Sequence, residues 1–209
     1  MKNLFDESLR EVLKQSASPA PTPGGGSVSA VAGAFGAAMV AMVGNLTVGK
    51  EKYKDVEPEA KELLHKANKV IEELEQLVQA DIDAFNAYMD VYKMPKNTEE
   101  EKALRAQALQ KAAIEATEVP LAIAEVALKG IEVAKAMASI GNKMAISDVG
   151  VGAYLGEGAL KGALLSVDIN LPVIKDADYV KKAEARRDQL IARAEKVREE
   201  ALQVLRQRF

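Results

Sequence analysis

One aspartate breaks the pattern of its helix. Between residues 70 and 92 the apolar spacing predicts an amphipathic helix. At about 100° per residue, Val70, Leu74, Leu77, Val78, Phe85, Tyr88 and Tyr92 share one sector, and Asp81 falls near its middle. Asp83 lies on the opposite, polar face with Glu72 and Asp90. A carboxylate on an apolar face loses hydration, so an unpaired one keeps its proton to higher pH. That suits general acid or base work. The same placement also serves structure, through a bond to a neighbouring helix's backbone or a pair with Arg105 or a lysine. Periodicity leaves both roles open.

Three further polar islands have side chains or backbone that can bind. Pro23-Gly24-Gly25-Gly26-Ser27 precedes a long charge-free stretch. Free N–H groups at the positive end of a helix dipole hold a carboxylate, a phosphate or the edge of a heterocycle. No Gly-Lys-Ser/Thr follows, so it is not a nucleotide P-loop, and no strand precedes it, so it is not a dinucleotide fingerprint. Tight packing is the plain alternative. The second island is NLTVGKEKYK (45–54), where Lys50, Lys52 and Lys54 form a local positive cluster on an acidic chain. It either steers a polyanion or is a solvated helix exit. In the third, GNKMAISD (141–148), Asn142 and Asp148 flank an apolar run and serve as caps or as ligand contacts. Tyr53 and Tyr154 stack on a flat ligand or simply pack.

The elements that must position these groups are all helical. Residues 3–15 read as a short amphipathic helix with Leu4, Leu9, Val12 and Leu13 as its apolar positions. SASPAPTPGGG (16–26) is excluded from helix by three prolines and three glycines. Residues 26–49 carry no charge; they are long enough to span a membrane, but Ala, Gly, Ser27, Ser29, Asn45 and Thr47 make them too polar for one. A buried central helix is expected instead. A long helix follows over 57–93, then one from Thr98 with Glu101 completing a capping box. Pro120 should kink or divide the segment 98–139. Ser147 or Asp148 should cap a helix running to about 168, ended by Asn170, Leu171 and Pro172. Asp176 or Asp178 begins the last helix. The fold expected is an all-α bundle of about six to eight helices around a buried Gly/Ala-rich central helix, in one domain over 1–209.

Composition removes several function classes. The chain has 209 residues, 48% hydrophobic and 28% charged, the balance of a globular protein. A net charge of -3 without a basic footprint argues against nucleic acid as a partner. There is no cysteine, which excludes disulfides and thiolate chemistry and fits the cytoplasm. A single histidine, His65 in a charged stretch, leaves no ordinary zinc ligand set, so no metal is expected. The first residues contain acids and no apolar core, unlike a signal peptide.

Taken in order, SASPAPTPGGGSVSAVAGAFGAAMVAMVGNLTVGKEKY, ADIDAFNAY, MPKNTEEEKALR, VPLAIAE, GNKMAISDVGVGA and VDINL resemble the formiminotetrahydrofolate cyclodeaminase and methenyltetrahydrofolate cyclohydrolase family. The likeness runs from about residue 4 to 205 and fits the free-standing form, without a fused formiminotransferase. It implies an all-α homodimer in the cytoplasm that holds folate, with or without a polyglutamate tail, in a cleft between helices, with no bound cofactor. It implies that Asp81, in the A-D-x-x-A-F segment, is catalytic. Binding would fall to Gly25, Gly26 and Ser27 at the loop, with Asn45 and Thr47 lining the cleft. Lys50 and Tyr53 would face the anionic tail or the pterin, and Asn142 and Asp148 the pterin edge. Fused relatives tend to have Asn where this chain has Asp168, which puts the contacts of that helix in question. The activity implied first is cyclodeamination of 5-formiminotetrahydrofolate to 5,10-methenyltetrahydrofolate and ammonia. Cyclohydrolysis of the methenyl compound is the alternative; a non-catalytic folate-binding or helical interaction protein is the second.

Overall fold

A computed structural model describes residues 3–209. Among these the regular structure is six α-helices and four short 3-10 turns, with no strand. The helices are α1 (Leu9–Ser16), α2 (Gly25–Thr47), α3 (Glu57–Tyr92), α4 (Glu99–Ile140), α5 (Ile146–Asn170) and α6 (Ala177–Arg206). α2 lies against α3, α4 and α5, while α6 closes over α4 and α5.

α2 is central because its residues are small. A side-chain methyl at Gly36 would sit 2.9 Å from the Gly152 carbonyl oxygen of α5, and one at Gly152 would sit 2.6 Å from that of Gly36. The two backbones touch there, which only glycine permits. Gly156 adds to the seam, since a methyl there would lie 2.8 Å from Ile131 of α4. Gly158, of the same spacing pattern, faces open space. Around the seam Val40, Val43, Ile131, Met137, Leu160 and Leu164 are buried in one apolar core. By length and composition α2 could cross a membrane, yet its apolar window is mostly enclosed by the other helices.

Several boundaries differ from the sequence reading. Residues 3–15 form a 3-10 turn, Leu4–Asp6, and then α1, because Ser8 caps α1 through the Glu11 N–H (3.2 Å) and interrupts the run. Leu4 is buried, but Leu9 and Leu13 face outward. Gly25 and Gly26 belong to the first turn of α2 rather than to the loop before it. Thr98 and Glu101 form the expected capping box, whereas α4 runs unbroken through Pro120. α5 starts at Ile146 after the 3-10 turn Lys143–Ala145, so neither Ser147 nor Asp148 is its cap. It ends at Asn170, and Asp176 caps α6 through the Tyr179 N–H (2.9 Å). In α3, Tyr92 is exposed, and Ile82 occupies the core instead.

Candidate active site

α2 starts without a side-chain cap, because its N-cap is Gly24. A helix N-terminus leaves N–H groups without partners. α3 supplies the missing acceptor from 54 residues away: the Ser27 N–H donates to Asp81 Oδ2 at 2.7 Å. Ser27 is fully buried, and its hydroxyl bridges the Gly24 N–H and carbonyl, each at 3.1 Å. Gly26 makes the approach possible. A methyl at residue 26 would lie 2.7 Å from the Asp81 carboxyl carbon and overlap its oxygens.

Two opposing effects act on the Asp81 carboxyl. Burial favours the neutral acid and pushes its pKa up; the bonds from Ser27 favour the carboxylate and pull it down. Burial prevails, so the pKa lies above the ordinary 3.8. Arg105, the cation the sequence offered as a partner, is engaged elsewhere: it donates to the Tyr92 carbonyl (2.8 Å) and stacks on the Tyr92 ring. Asp83 is exposed and takes a bond from Gln79, as its polar face requires. Asp81 is therefore a structural acceptor and, among the described residues, a carboxyl group that no cation pairs with.

Asp81 lines a cleft of about 400 Å³ between the start of α2, the second half of α3 and the end of α5. That size suits a small-molecule site. Gly25 and Gly26 present the first-turn N–H groups at one wall. Phe85 and Tyr88, four and seven positions after Asp81 on the same face, supply flat apolar surface, and Ile169 adds more. Ser166 and Asn170 bring polar groups from α5. The sequence reading did not assign Phe85, Tyr88, Ser166 or Asn170 to a site. The two aromatics were legible as partners on the Asp81 face. Asn170 read only as a helix terminator.

The structure brings Gly25, Gly26 and Ser27 to Asp81 but leaves Asn45, Thr47, Lys50, Tyr53, Asn142 and Asp148 at the other end of α2. At about 1.5 Å per residue the two groups are roughly 30 Å apart. Thr47 is fully buried, donates to the Val43 carbonyl (2.7 Å) and accepts from the Asn142 N–H (2.8 Å). Asn142 also donates to the Leu46 carbonyl (2.8 Å), and the Tyr53 hydroxyl accepts from the Lys143 N–H (2.9 Å). These bonds tie the end of α2 to the α4–α5 turn. Asn45 and Lys50 are exposed, and Asp148 is half-buried in the first turn of α5. Asp168 points at α6, where its carboxylate accepts from Arg187 at 2.6 Å.

The helical arrangement and the sequence that builds it are shared by a known group of proteins. Residues 8–189 match the family model described as formiminotransferase-cyclodeaminase. A methenyltetrahydrofolate cyclohydrolase of Methylorubrum extorquens is 41% identical over 90% of this chain and 91% of its own length. A formimidoyltransferase-cyclodeaminase of Mus musculus is 35% identical over 92% of this chain, which spans only 36% of that larger protein. Among solved structures, a formiminotetrahydrofolate cyclodeaminase from Thermotoga maritima superposes with a TM-score of 0.86 at 31% identity, covering 97% of both chains. The chain belongs to the formiminotransferase-cyclodeaminase family, whose named members here are folate-processing enzymes.

Proposed function

We propose that this chain is a formiminotetrahydrofolate cyclodeaminase, closing 5-formiminotetrahydrofolate to 5,10-methenyltetrahydrofolate with release of ammonia. The observation that carries the reading is the Asp81 carboxyl, held by the Ser27 N–H in a mostly apolar cleft that no Lys or Arg lines among the described residues. N10 attacks the formimino carbon, and the departing nitrogen needs a proton. A carboxyl whose pKa is raised by burial is a better acid near neutral pH than an ordinary aspartate. Once ionised, it lies beside the amidinium cation that forms and stabilises it. Phe85 and Tyr88 suit the flat rings of a folate, and the Gly25 and Gly26 N–H groups suit its acceptor atoms.

The reading includes a cytoplasmic homodimer. On α2 the exposed apolar residues Val28, Phe35, Met42 and Leu46 form a charge-free stripe, with Phe35 near its midpoint. A second copy packed antiparallel about that midpoint would bury the stripe on both chains, as two-fold interfaces do. It would also bring the other copy's Lys50, Tyr53, Asn142 and Asp148 toward this chain's Asp81 cleft. A folate tail carrying one or more glutamates would meet that positive cluster.

A second reading is favoured by the 41% identity to the cyclohydrolase over nearly its whole length. There water attacks the methenyl carbon, and Asp81, ionised, takes its proton. Ultraviolet absorbance with the two substrates in parallel separates the readings. Methenyltetrahydrofolate appearing from the formimino compound, with ammonia, supports cyclodeamination. Its loss, faster than spontaneous hydrolysis and without any gain from the formimino compound, replaces that reading with cyclohydrolysis. Neither change from folded protein that binds folate leaves a binding module.

A further inference from the structure

Pro120 sits inside α4 without bending the chain out of helix. A proline there has no N–H to give the carbonyl four residues back, so the Ala116 carbonyl has no partner in its own helix. The partner comes from α5: Asn170 Nδ2 donates to the Ala116 oxygen at 2.9 Å. A carbonyl only accepts, so this bond fixes which end of the Asn170 amide faces α4. The Oδ1 end is turned away from it. Among the described residues no group donates to that Oδ1, and it is not shut away from solvent. Ala116 and Asn170 both line the Asp81 cleft.

We propose that Asn170 is a specificity-determining residue of this site and that Pro120 is the residue that positions it. Building on the folate reading above, Oδ1 accepts an N–H from the reduced pterin ring. The cleft otherwise offers such a ring donors at the start of α2, the hydroxyls of Thr22 and Ser166, apolar walls and the Asp81 carboxyl; Asn170 supplies an amide oxygen that only accepts and whose direction is fixed. With an ordinary residue at 120, its N–H would take the Ala116 carbonyl, and the Asn170 amide would lose the bond that orients it. A ring N–H that gives up water on binding and finds no acceptor is costly, which is how a single amide discriminates.

The test uses the full chain as wild type, Asn170→Ala, Pro120→Ala and the double variant, with Asn170→Ser in reserve should Asn170→Ala fail to fold. Calorimetry measures affinity for 5-formyltetrahydrofolate and for p-aminobenzoylglutamate, which lacks the pterin. Asn170→Ala should weaken the first by about tenfold, the size of one lost hydrogen bond, and leave the second within about twofold. In turnover its KM should rise while kcat stays within about threefold. Pro120→Ala should weaken 5-formyltetrahydrofolate by about threefold in the wild-type background and have no further effect in the double variant. A loss below about threefold in Asn170→Ala, an equal loss for both ligands, or a Pro120→Ala effect that persists undiminished without Asn170 overturns the proposal. Wild-type protein that binds no 5-formyltetrahydrofolate overturns the folate reading, and this proposal with it.

Discussion

The two ends of α2 solve the same problem in different ways. At its C-terminus Thr47, Asn142 and Tyr53 close a local network of hydrogen bonds, and the last turn is fastened to the α4–α5 connection. At its N-terminus the cap is a glycine, and the acceptor comes from an acid on another helix. The first arrangement spends its polar groups on one another. The second leaves N–H groups and a carboxyl oxygen open to a cleft. The helix end that borrows its cap is therefore the one left open to a ligand, and the finished end is fastened to its neighbours.

Asp81→Asn should separate these roles most sharply. Asparagine keeps an acceptor for the Ser27 N–H but cannot exchange a proton, so turnover should fall by about a thousandfold with folate affinity largely kept. Steady-state kinetics beside calorimetry reads both. Near-normal turnover would leave Asp81 a cap and nothing more. Gly26→Ala comes next: the new methyl overlaps the carboxyl, so it should cost about 2–3 kcal/mol by denaturant unfolding and lower kcat by at least about tenfold. At the anchored end, Thr47→Val leaves the Asn142 N–H without its acceptor and should cost about 1–3 kcal/mol in the same assay.

The smallest effect is one of pH. Because burial raises the folded-state pKa of Asp81, the native state binds its proton more tightly than the unfolded chain does. The wild type thus loses stability as pH rises through the window between the ordinary 3.8 and the raised value, and the penalty persists above it. Asp81→Asn has no such penalty. Its melting temperature relative to wild type should be higher at pH 7 than at pH 4, as thermal scans at the two values would check. A gap that widens on acidification would mean that the cap interaction, not burial, governs this carboxyl.

Much of the architecture was legible because it follows from local pattern. The charge-free run predicted α2 as the centre, the 3.6-residue period put Asp81 inward and Asp83 outward, and Thr98 with Glu101 marked the start of α4. Local rules failed where a partner from far along the chain intervened. Pro120 is accommodated in a continuous helix because Asn170, fifty positions later, satisfies the stranded carbonyl. Ser147 and Asp148 look like caps, but Asn142 starts a 3-10 turn ahead of them by accepting the Met144 N–H at 3.0 Å. For the site, the loop and Asp81 were each readable, yet no local signal said that one caps the other. The sequence placed residues 45–54 at the far end of the charge-free helix, but spacing did not reveal that Asn142 and the start of α5 gather there with them.

The central claim is that Asp81, although it caps α2, keeps its proton more firmly than a free aspartate. An NMR titration of its side-chain carboxyl, labelled with carbon-13 and assigned by comparison with Asp81→Asn, measures this directly. A pKa above 3.8 is expected, with the Ser27 amide resonance titrating in step. A value at or below 3.8 would mean that the helix N-terminus holds an ordinary carboxylate there, and Asp81 would lose its standing as the acid of the reaction.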